Sequence, residues 1–467
     1  MQDNVRIEHD SLGEIPVPAD HYWGAQTQRS LEHFSIGPDR MPLAVVRAIA
    51  RVKQAAATAN EELGALPADK AAAIRAVAAA IIAGDLDEEF PLAVFQTGSG
   101  TQTNANVNEV IANRANEQLG GALGSNTPIH PSDDVNMSQS TNDAFVTAMH
   151  LAAYVATTES LLPSLTGLRD AIAAKAESWA DVRKVGRTHL MDATPLTVGQ
   201  EWSGYAASLT DAMDDLARCN EGLLEVALGG TAVGTGVNTP HGYTAAAVAA
   251  LAESTGYPFR PASNAFAAQA TLDPLVRAHG ALKGAAVVLF KIANDVRWAA
   301  SGPRAGLAEV RIPANEPGST IMPGKVNPTQ AEALLQVCLA VIGHDTTVAM
   351  AGAEGNFELN AFRPVVIDTY LRSERLLRDS SDSFRRHLIE GTVLNERRLQ
   401  QYVANSVMVV TALSPVIGYE AAARVAKAAI DGDLPLRDAL AQEGYDPSLA
   451  EELTATALGT AEGSAGT

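Results

Sequence analysis

The first chemistry this sequence offers is a loop that can set a lysine beside a helix start. Gly318-Ser319-Thr320-Ile321-Met322-Pro323-Gly324-Lys325-Val326-Asn327 is small and polar, and it runs into an apolar-periodic stretch that opens at Pro328. Lys325, the Asn327 amide and the first N–H groups of that helix could form one anion site, because a helix N-terminus carries unpaired donors and partial positive charge. The same residues would equally make an ordinary loop and helix cap. A second candidate is Gly186-Arg187-Thr188-His189-Leu190-Met191-Asp192-Ala193-Thr194-Pro195, where His189 could carry a proton near neutral pH. A lone histidine is as readily an exposed or satisfied side chain. A third stretch, Thr97 to Asn108, is dense in Gly, Thr and Asn. Such residues are expected to form a solvated loop or to converge on a ligand, not to build a core.

The elements that must position these residues read as helices. The lead from Met1 to Arg40, punctuated by Gly13, Pro16, Pro18 and Gly24, is expected to be irregular. Helices are expected over Leu43 to Leu63 and Ala68 to Ala83. Leu161, Leu165, Leu168 and Ile172 recur at helical spacing. From Leu272 to Ala300, Leu275, Leu282, Leu289 and Val296 repeat every seven residues, with Ala278, Ala285, Ile292 and Ala299 in the second heptad position. That helix would be ~43 Å long. Gly280 and Gly284 inside it each cost about 1 kcal/mol relative to Ala, and close helix approach is the expected compensation. A further helix runs from Pro328 to about Ala351, with Asn327 placed to cap and Gln330 to close a reciprocal capping box. Helices this long need partners along their length, so self-association into a larger bundle is expected. From Val393 onward the chain reads as shorter helices, ending in a small, polar stretch from Gly459 to Thr467 expected to fray.

Composition limits the functions available. The chain has 467 residues, enough for roughly three domains. Hydrophobic residues make up 46% and charged residues 19%, which excludes a disordered chain. It is rich in Ala and only 5% aromatic, which favours closely packed helices over a β-sandwich. Net charge is −20, with 34 Lys and Arg against 54 Asp and Glu, so binding to nucleic acid or to an anionic membrane is not expected. An anionic substrate would need a locally positive site. Cys219 and Cys338 are isolated, which excludes a disulfide framework or a thiolate cluster and fits a reducing cytosol. No uninterrupted apolar run approaches the length of a membrane span. The start Met1-Gln2-Asp3-Asn4-Val5-Arg6 carries no basic-then-apolar signal, so a soluble cytoplasmic protein is expected.

Several familiar motifs fail. Gly98-Ser99-Gly100 lacks the third Gly of a dinucleotide fingerprint, and Thr97 stands where a nucleophile elbow needs Gly. Gly318 to Val326 is one residue too long for a phosphate loop, and Val326 replaces its hydroxyl residue. The ten His include no HExxH, so a catalytic metal is not expected.

Taken together, Gly318 to Pro328, Thr97 to Asn104, His130 to Asn142, Gly186 to Pro195, Gly229 to Gly236 and Gly355 to Asn360 resemble the signatures of the fumarase/aspartase superfamily over nearly the whole chain. His189, where aspartases typically carry Gln, Gly324, where they have Ala, and Thr329-Gln330 after Pro328 make it similar to the class II fumarases within it. The resemblance implies a mainly α, three-domain fold: residues 1–141, a central long-helix bundle at 142–393, and a small helical domain at 394–467. It implies a homotetramer around a shared bundle, with each active site drawing on three subunits. The implied activity is reversible hydration of fumarate to (S)-malate, a lyase step of the tricarboxylic acid cycle. No metal or cofactor is implied.

That reaction is an anti addition through a dianionic aci-carboxylate, whose charge needs preorganised positive groups. The resemblance assigns the carbon-side base to Ser319, where residue type alone would choose His189. His189 would then handle water or hydroxide, paired with Glu332. Lys325, Asn327 and the helix start would hold the charge. Ser99, Gly100, Thr101, Ser140, Thr141, Asn142, Thr188, Thr320, Lys325, Val326 and Asn327 would meet the substrate; hydroxyl and amide donors suit a dicarboxylate. His130, Pro131, Ser132 and Asp133 correspond to a second anion site. There Ser132 replaces a common Asn and Met137 a common Lys, which removes an amide and a cation. An aspartase-like ammonia lyase and a non-catalytic structural member of the fold are the alternatives. A serine hydrolase using Ser99 or Ser319 lacks both elbow and triad.

Overall fold

The computed structural model describes residues 4–450; the tail from Gly459 lies outside them. The chain opens with a hairpin, β1 (Val5–Asp10) and β2 (Gly13–Pro18), and a short helix, α1 (Ala25–His33). This corrects the irregular lead expected there. Arg6 locks the hairpin by donating to the Pro18, His21 and Trp23 carbonyls at 2.6–2.7 Å, long-range contacts that local punctuation does not reveal.

Helices dominate the rest of the chain. α2 (Leu43–Glu62) and α3 (Ala68–Ala83) lie over the two segments expected to be helical, and α3 stops at Gly84 in the left-handed region (φ +94°). α4 (Thr101–Gln118), α5 (Thr141–Ala156) and α6 (Leu162–Ser178) lead to a second hairpin, β3 (Arg183–Thr188) and β4 (Met191–Thr197). Then come α7 (Val198–Glu221), β5 (Glu225–Val226), α8 (Tyr243–Thr255), β6 (Arg260–Pro261), α9 (Ala265–Ala270) and α10 (Asp273–Ala299). β7 (Val310–Arg311), α11 (Thr329–Ala353), β8 (Gly355–Asn356), β9 (Leu359–Asn360) and α12 (Arg363–Phe384) continue the chain. β10 (Val393–Leu394), α13 (Glu396–Asn405), α14 (Ser414–Ile417), α15 (Tyr419–Gly432) and α16 (Leu436–Gln442) end it. Every described sheet has two strands, so the fold is mainly α.

The described chain divides into two compact units. One comprises residues 4–163, 213–287 and 337–378; the other comprises 164–212, 288–336 and 379–450. In the first, α2 packs on α3, α5 and α8 around Val45, Ile49, Val52 and Ile74. In the second, β3 packs on α13, and Trp179 meets Trp202 edge-on at 4.7 Å. Val409, Leu413, Val425 and Leu440 form an apolar cluster toward the end of the described chain.

In α10 the heptad residues Leu275, Leu282, Leu289 and Val296 are all buried within one chain. The close approach expected at Gly280 and Gly284 is absent there: a Cβ at either would meet nothing within 4 Å. Gly343 on α11 is equally open. α11 is also the one described helix long and apolar enough to cross a membrane, although its sequence is interrupted by Glu332, His344 and Asp345. Only 28% of its most apolar stretch is buried. Leu339 and Met350 on α11, and Val287 and Trp298 on α10, lie exposed.

Candidate functional site

In the first unit the structure brings together the segments 97–101, 140–142 and 229–232. Gly100 precedes α4 with φ +83°, and a Cβ there would lie 2.5 Å from the Phe145 ring. Gly98 is equally constrained, because its missing Cβ would fall 1.4 Å from the Ala361 carbonyl oxygen. The turn leaves Ser99 Oγ and Thr101 Oγ1 2.8 Å apart. Ser140 caps α5: its hydroxyl accepts from Asn142 N at 3.2 Å, and Asp143 accepts from Ser140 N at 2.9 Å. Asn142 Nδ2 donates to the Ala232 carbonyl at 2.7 Å. The starts of α4 and α5 are joined by Asn104 Nδ2, which donates to Thr141 Oγ1 at 3.2 Å. Two helix N-termini and the side chains of Ser99, Thr101, Ser140, Thr141 and Asn142 thus face one neighbourhood, a favourable arrangement for an anion.

Charges beneath this neighbourhood are buried, and sequence reading missed them. Asp143 also accepts from Gly229 N and Thr231 N at 2.9 and 3.0 Å; burial raises its carboxyl to about 6. The wholly buried Arg363 donates to the Gln269 carbonyl at 2.7 Å and to the Thr141 carbonyl at 3.4 Å. Lys53, also wholly buried, donates to Asn136 Oδ1 and Gln139 Oε1 at 2.8 and 3.0 Å, and burial lowers its ammonium to about 7. A signal for Lys53 existed: Ile49, Lys53, Ala56 and Asn60 form one buried stripe of α2, and a cation on such a stripe needs a built-in partner. The amides of 97–108 are corrected too. Asn104, Asn106 and Asn108 are buried inside α4, where Asn104 and Asn108 donate to Asn136 and Asn106 to the Glu89 carbonyl. They build a polar core, because the Nδ2 of each has a fixed acceptor.

His130 caps the turn at Pro131–Val135; its Nδ1 accepts from Ser132 N and Asp133 N at 3.2 and 3.1 Å. The adjoining cavity of about 460 Å³ is lined by Glu8, Asp10 and Glu109 beside His130, Pro131 and Ser132. Glu8 is paired there with Arg6 and Asp10 with Arg29, each at 2.7 Å.

In the second unit, Thr188 and His189 sit at the tip of the β3–β4 hairpin. His189 and Leu190 form its two-residue turn, with φ +57° and +62°. Two consecutive left-handed non-glycine residues strain the backbone. They aim an exposed His189 away from the strands, and no hydrogen bond or ion pair joins it to Glu332 among the described residues. The loop of residues 318–327 is closed at its neck by Asn327 Nδ2, which donates to the Gly318 carbonyl at 2.7 Å. That replaces the expected capping box: Gln330 is held instead by Asn315, Glu316 and Thr329. Inside the loop, Ser319 Oγ accepts from Ile321 N at 3.2 Å and Met322 N at 3.1 Å. Thr320, Lys325 and Val326 are exposed, and Glu332 lies in the first turn of α11. Among the described residues, no group of three or more His, Cys, Asp or Glu is arranged to hold a metal.

A cavity of about 400 Å³ reaches His189 and is lined by Lys184, Arg187, Tyr205, Lys291 and Glu309. A larger one, about 740 Å³, lies by the start of β3, α13 and α16 and contains no residue expected from the sequence to be functional.

Comparison with known proteins bears on these features. The family described as Lyase matches residues 13–343, and that described as Fumarase C C-terminus matches 409–458. A fumarate hydratase class II of Methanosarcina acetivorans is 56% identical over 94% of this chain and 91% of its own. One of Thermosynechococcus vestitus is 56% identical over 95% of each chain. The crystal structure of a recombinant class II fumarase from Schistosoma mansoni superposes with a TM-score of 0.94 at 40% identity, covering 96% of this chain and 98% of that one. A fumarate lyase:delta crystallin from Brucella melitensis bound to cobalt gives 0.94 at 43% identity, covering 97% and 98%.

Proposed function

This chain belongs to the lyase family of the class II fumarate hydratases, and from that premise we propose that its two groups of site residues together interconvert fumarate and (S)-malate. One observation carries the assignment of roles. The loop that bears Lys325 is folded so that Ser319 Oγ already accepts two backbone N–H bonds. A serine hydroxyl is a weak base unless its alkoxide is stabilised; the two N–H donors, with the Lys325 ammonium carried by the same loop, would supply that stabilisation.

In the malate-to-fumarate direction, Ser319 takes the proton from the carbon alpha to one carboxylate. The electron pair moves into that carboxylate, forming the aci dianion. Lys325, the Asn327 amide and the start of α11 hold the developing charge. His189, supported by Glu332, protonates the departing hydroxyl on the opposite face, and water leaves. Hydration runs the same steps backward. Ser99, Thr101, Ser140, Thr141, Asn142, Thr188 and Thr320 donate to the substrate carboxylates, with the Gly100 and Val326 backbones shaping the site. The chemistry assigned to these residues uses no cofactor. The His130–Asp133 turn has no role in turnover.

The two groups meet in a homotetramer, each site drawing on three subunits. The open glycine faces of α10 and α11 and the exposed Leu339, Met350, Val287 and Trp298 support a shared bundle. The chain reads as residues 1–141, a bundle at 142–393 and a small domain at 394–467, whose apolar cluster supports the last boundary. We place the enzyme in the cytoplasm, in the tricarboxylic acid cycle; the free Cys219 and Cys338 suit a reducing compartment.

The test follows fumarate absorbance in the ultraviolet with wild type and Ser319→Ala. Wild type should hydrate fumarate and dehydrate (S)-malate, and the variant should lose ~10²–10⁴-fold in turnover. Near-full turnover by Ser319→Ala would remove serine from the role of base. Release of ammonia from L-aspartate by wild type would replace the hydratase with an ammonia lyase.

A further inference from the structure

We infer that Glu309 is a positioning residue for His189, acting through a carboxylate clamp on the hairpin that carries it. The inference rests on the reading of His189 as the group that handles water.

A two-stranded hairpin is marginal by itself, and this one ends in two left-handed residues that each favour another backbone conformation. Something outside the hairpin must fix it. Lys184 and Arg187 are three apart on β3, so a regular strand would point them to opposite faces. The register shifts between Val185 and Arg187, and the bulge turns both side chains to one acceptor. Gly186 is the residue that allows it, because a Cβ there would lie 2.6 Å from the Thr194 carbonyl oxygen.

That acceptor is Glu309. Lys184 Nζ lies 3.1 Å from its Oε2, and Arg187 Nη1 lies 2.8 Å from its Oε1. The Glu309 and Lys184 side chains are 3% and 5% exposed, so water competes little for either partner. Glu309 is itself pinned through its backbone: its N–H donates to the Ala299 carbonyl at 2.8 Å, and its carbonyl accepts from Asn395 N at 2.9 Å. Arg187 also lies over the Tyr402 ring, with its guanidinium carbon 5.5 Å from the centroid. Tyr402 in turn donates to the Leu307 carbonyl at 3.0 Å. The clamp therefore ties the hairpin to the end of α10, to α13 and to the segment that leads into the 318–327 loop.

Other charges face the same cavity and remain when Glu309 is neutralised. Glu201 of α7 still holds Lys184 at 2.6 Å, and Asp295 and Lys291 of α10 still pair with each other. Tyr205 donates to Asp295 at 3.2 Å, and Arg398 of α13 shares the Tyr402 ring with Arg187. The charge left without its partner is that of Arg187, two residues from His189.

The test compares wild type with Glu309→Gln and Arg187→Lys. In Glu309→Gln, kcat for fumarate hydration should fall ~10–100-fold with KM little changed, as expected when a reacting group is misplaced. The unbalanced Arg187 cation disfavours protonated His189, so the acid limb of the kcat/KM profile should move to lower pH. Backbone amides of residues 183–197 should exchange faster in the variant. Arg187→Lys keeps the charge balance but loses the fork and the ring contact; it should lose less turnover and leave the acid limb in place. It also serves if Glu309→Gln does not fold. An unchanged kcat and acid limb, with only the melting temperature lowered, would make Glu309 merely structural and overturn the inference. If wild type does not hydrate fumarate, the hydratase reading fails instead; amide exchange in 183–197 still decides whether the clamp exists.

Discussion

Asn327 reaches back across nine residues to the Gly318 carbonyl, 2.7 Å away, and thereby closes the neck of the loop that holds Ser319 and Lys325. The closure also needs Gly318 to be glycine, since a Cβ there would lie 2.0 Å from the Lys325 carbonyl oxygen. Gly318→Ala should therefore open the loop. Because the loop is largely exposed, the cost should fall on turnover: kcat down ~10–100-fold, with the melting temperature nearly unchanged. Steady-state kinetics and a thermal melt on the same sample check this. A variant with wild-type kcat would show that the neck does not shape the site.

The hairpin tip stores strain for a different reason. Leu190 holds φ +62° with its side chain 73% exposed, so the position gains no burial in return. Glycine adopts that backbone freely, and Leu190→Gly should stabilise the chain by about 0.5–1 kcal/mol. Chemical denaturation measures it. A destabilised variant would mean that Leu190 is covered by something in the working assembly.

His150 gives a pH dependence with a defined sign. Its Nδ1 lies 2.9 Å from the Glu225 carbonyl, and burial lowers the imidazole from its ordinary value of 6.5 to about 4. The unfolded chain takes up that proton first, so His150 contributes full stability above pH 6.5 and loses it progressively between 6.5 and 4. The complete loss is on the order of 3 kcal/mol. Asp143 and Glu109 act the opposite way, since burial raises their carboxyls to about 6 and about 7. The His150 contribution must therefore be read as a difference. Between pH 7 and 5, wild type should lose stability relative to His150→Gln; parallel curves would contradict the assignment.

Self-association can be tested directly. Four chains of 48.8 kDa should sediment together, at four times the mass of one. Gly284→Leu should shift the distribution toward smaller species, because the open space beside Gly284 would be filled by a partner helix. Monomer alone at micromolar concentration in wild type would contradict the shared bundle.

The helix α10 was legible in the sequence, because its seven-residue repeat of Leu275, Leu282, Leu289 and Val296 marks a single buried face. The β1–β2 hairpin was not, because Arg6 fixes it through carbonyls as distant in sequence as that of Trp23. The asparagines of α4 misled for a related reason: amides read as solvated unless their partners, such as Asn136 and Glu89, are known. Exposed groups in recognisable segments, such as Ser319, Lys325 and His189, could be named as candidates from residue type and spacing. The buried charges within each unit were missed. Lys53, Arg363 and Glu309 act through contacts distant in sequence, and only Lys53 left a local trace, as a cation on an apolar stripe.

The hydratase assignment is tested most directly by giving purified protein fumarate, (S)-malate and L-aspartate in turn, without added nucleotide or cofactor, and following fumarate absorbance. The predicted result is fumarate loss matched by malate gain, the reverse reaction from malate, and no response to aspartate. Fumarate release from aspartate, or no turnover of any of the three, would contradict it.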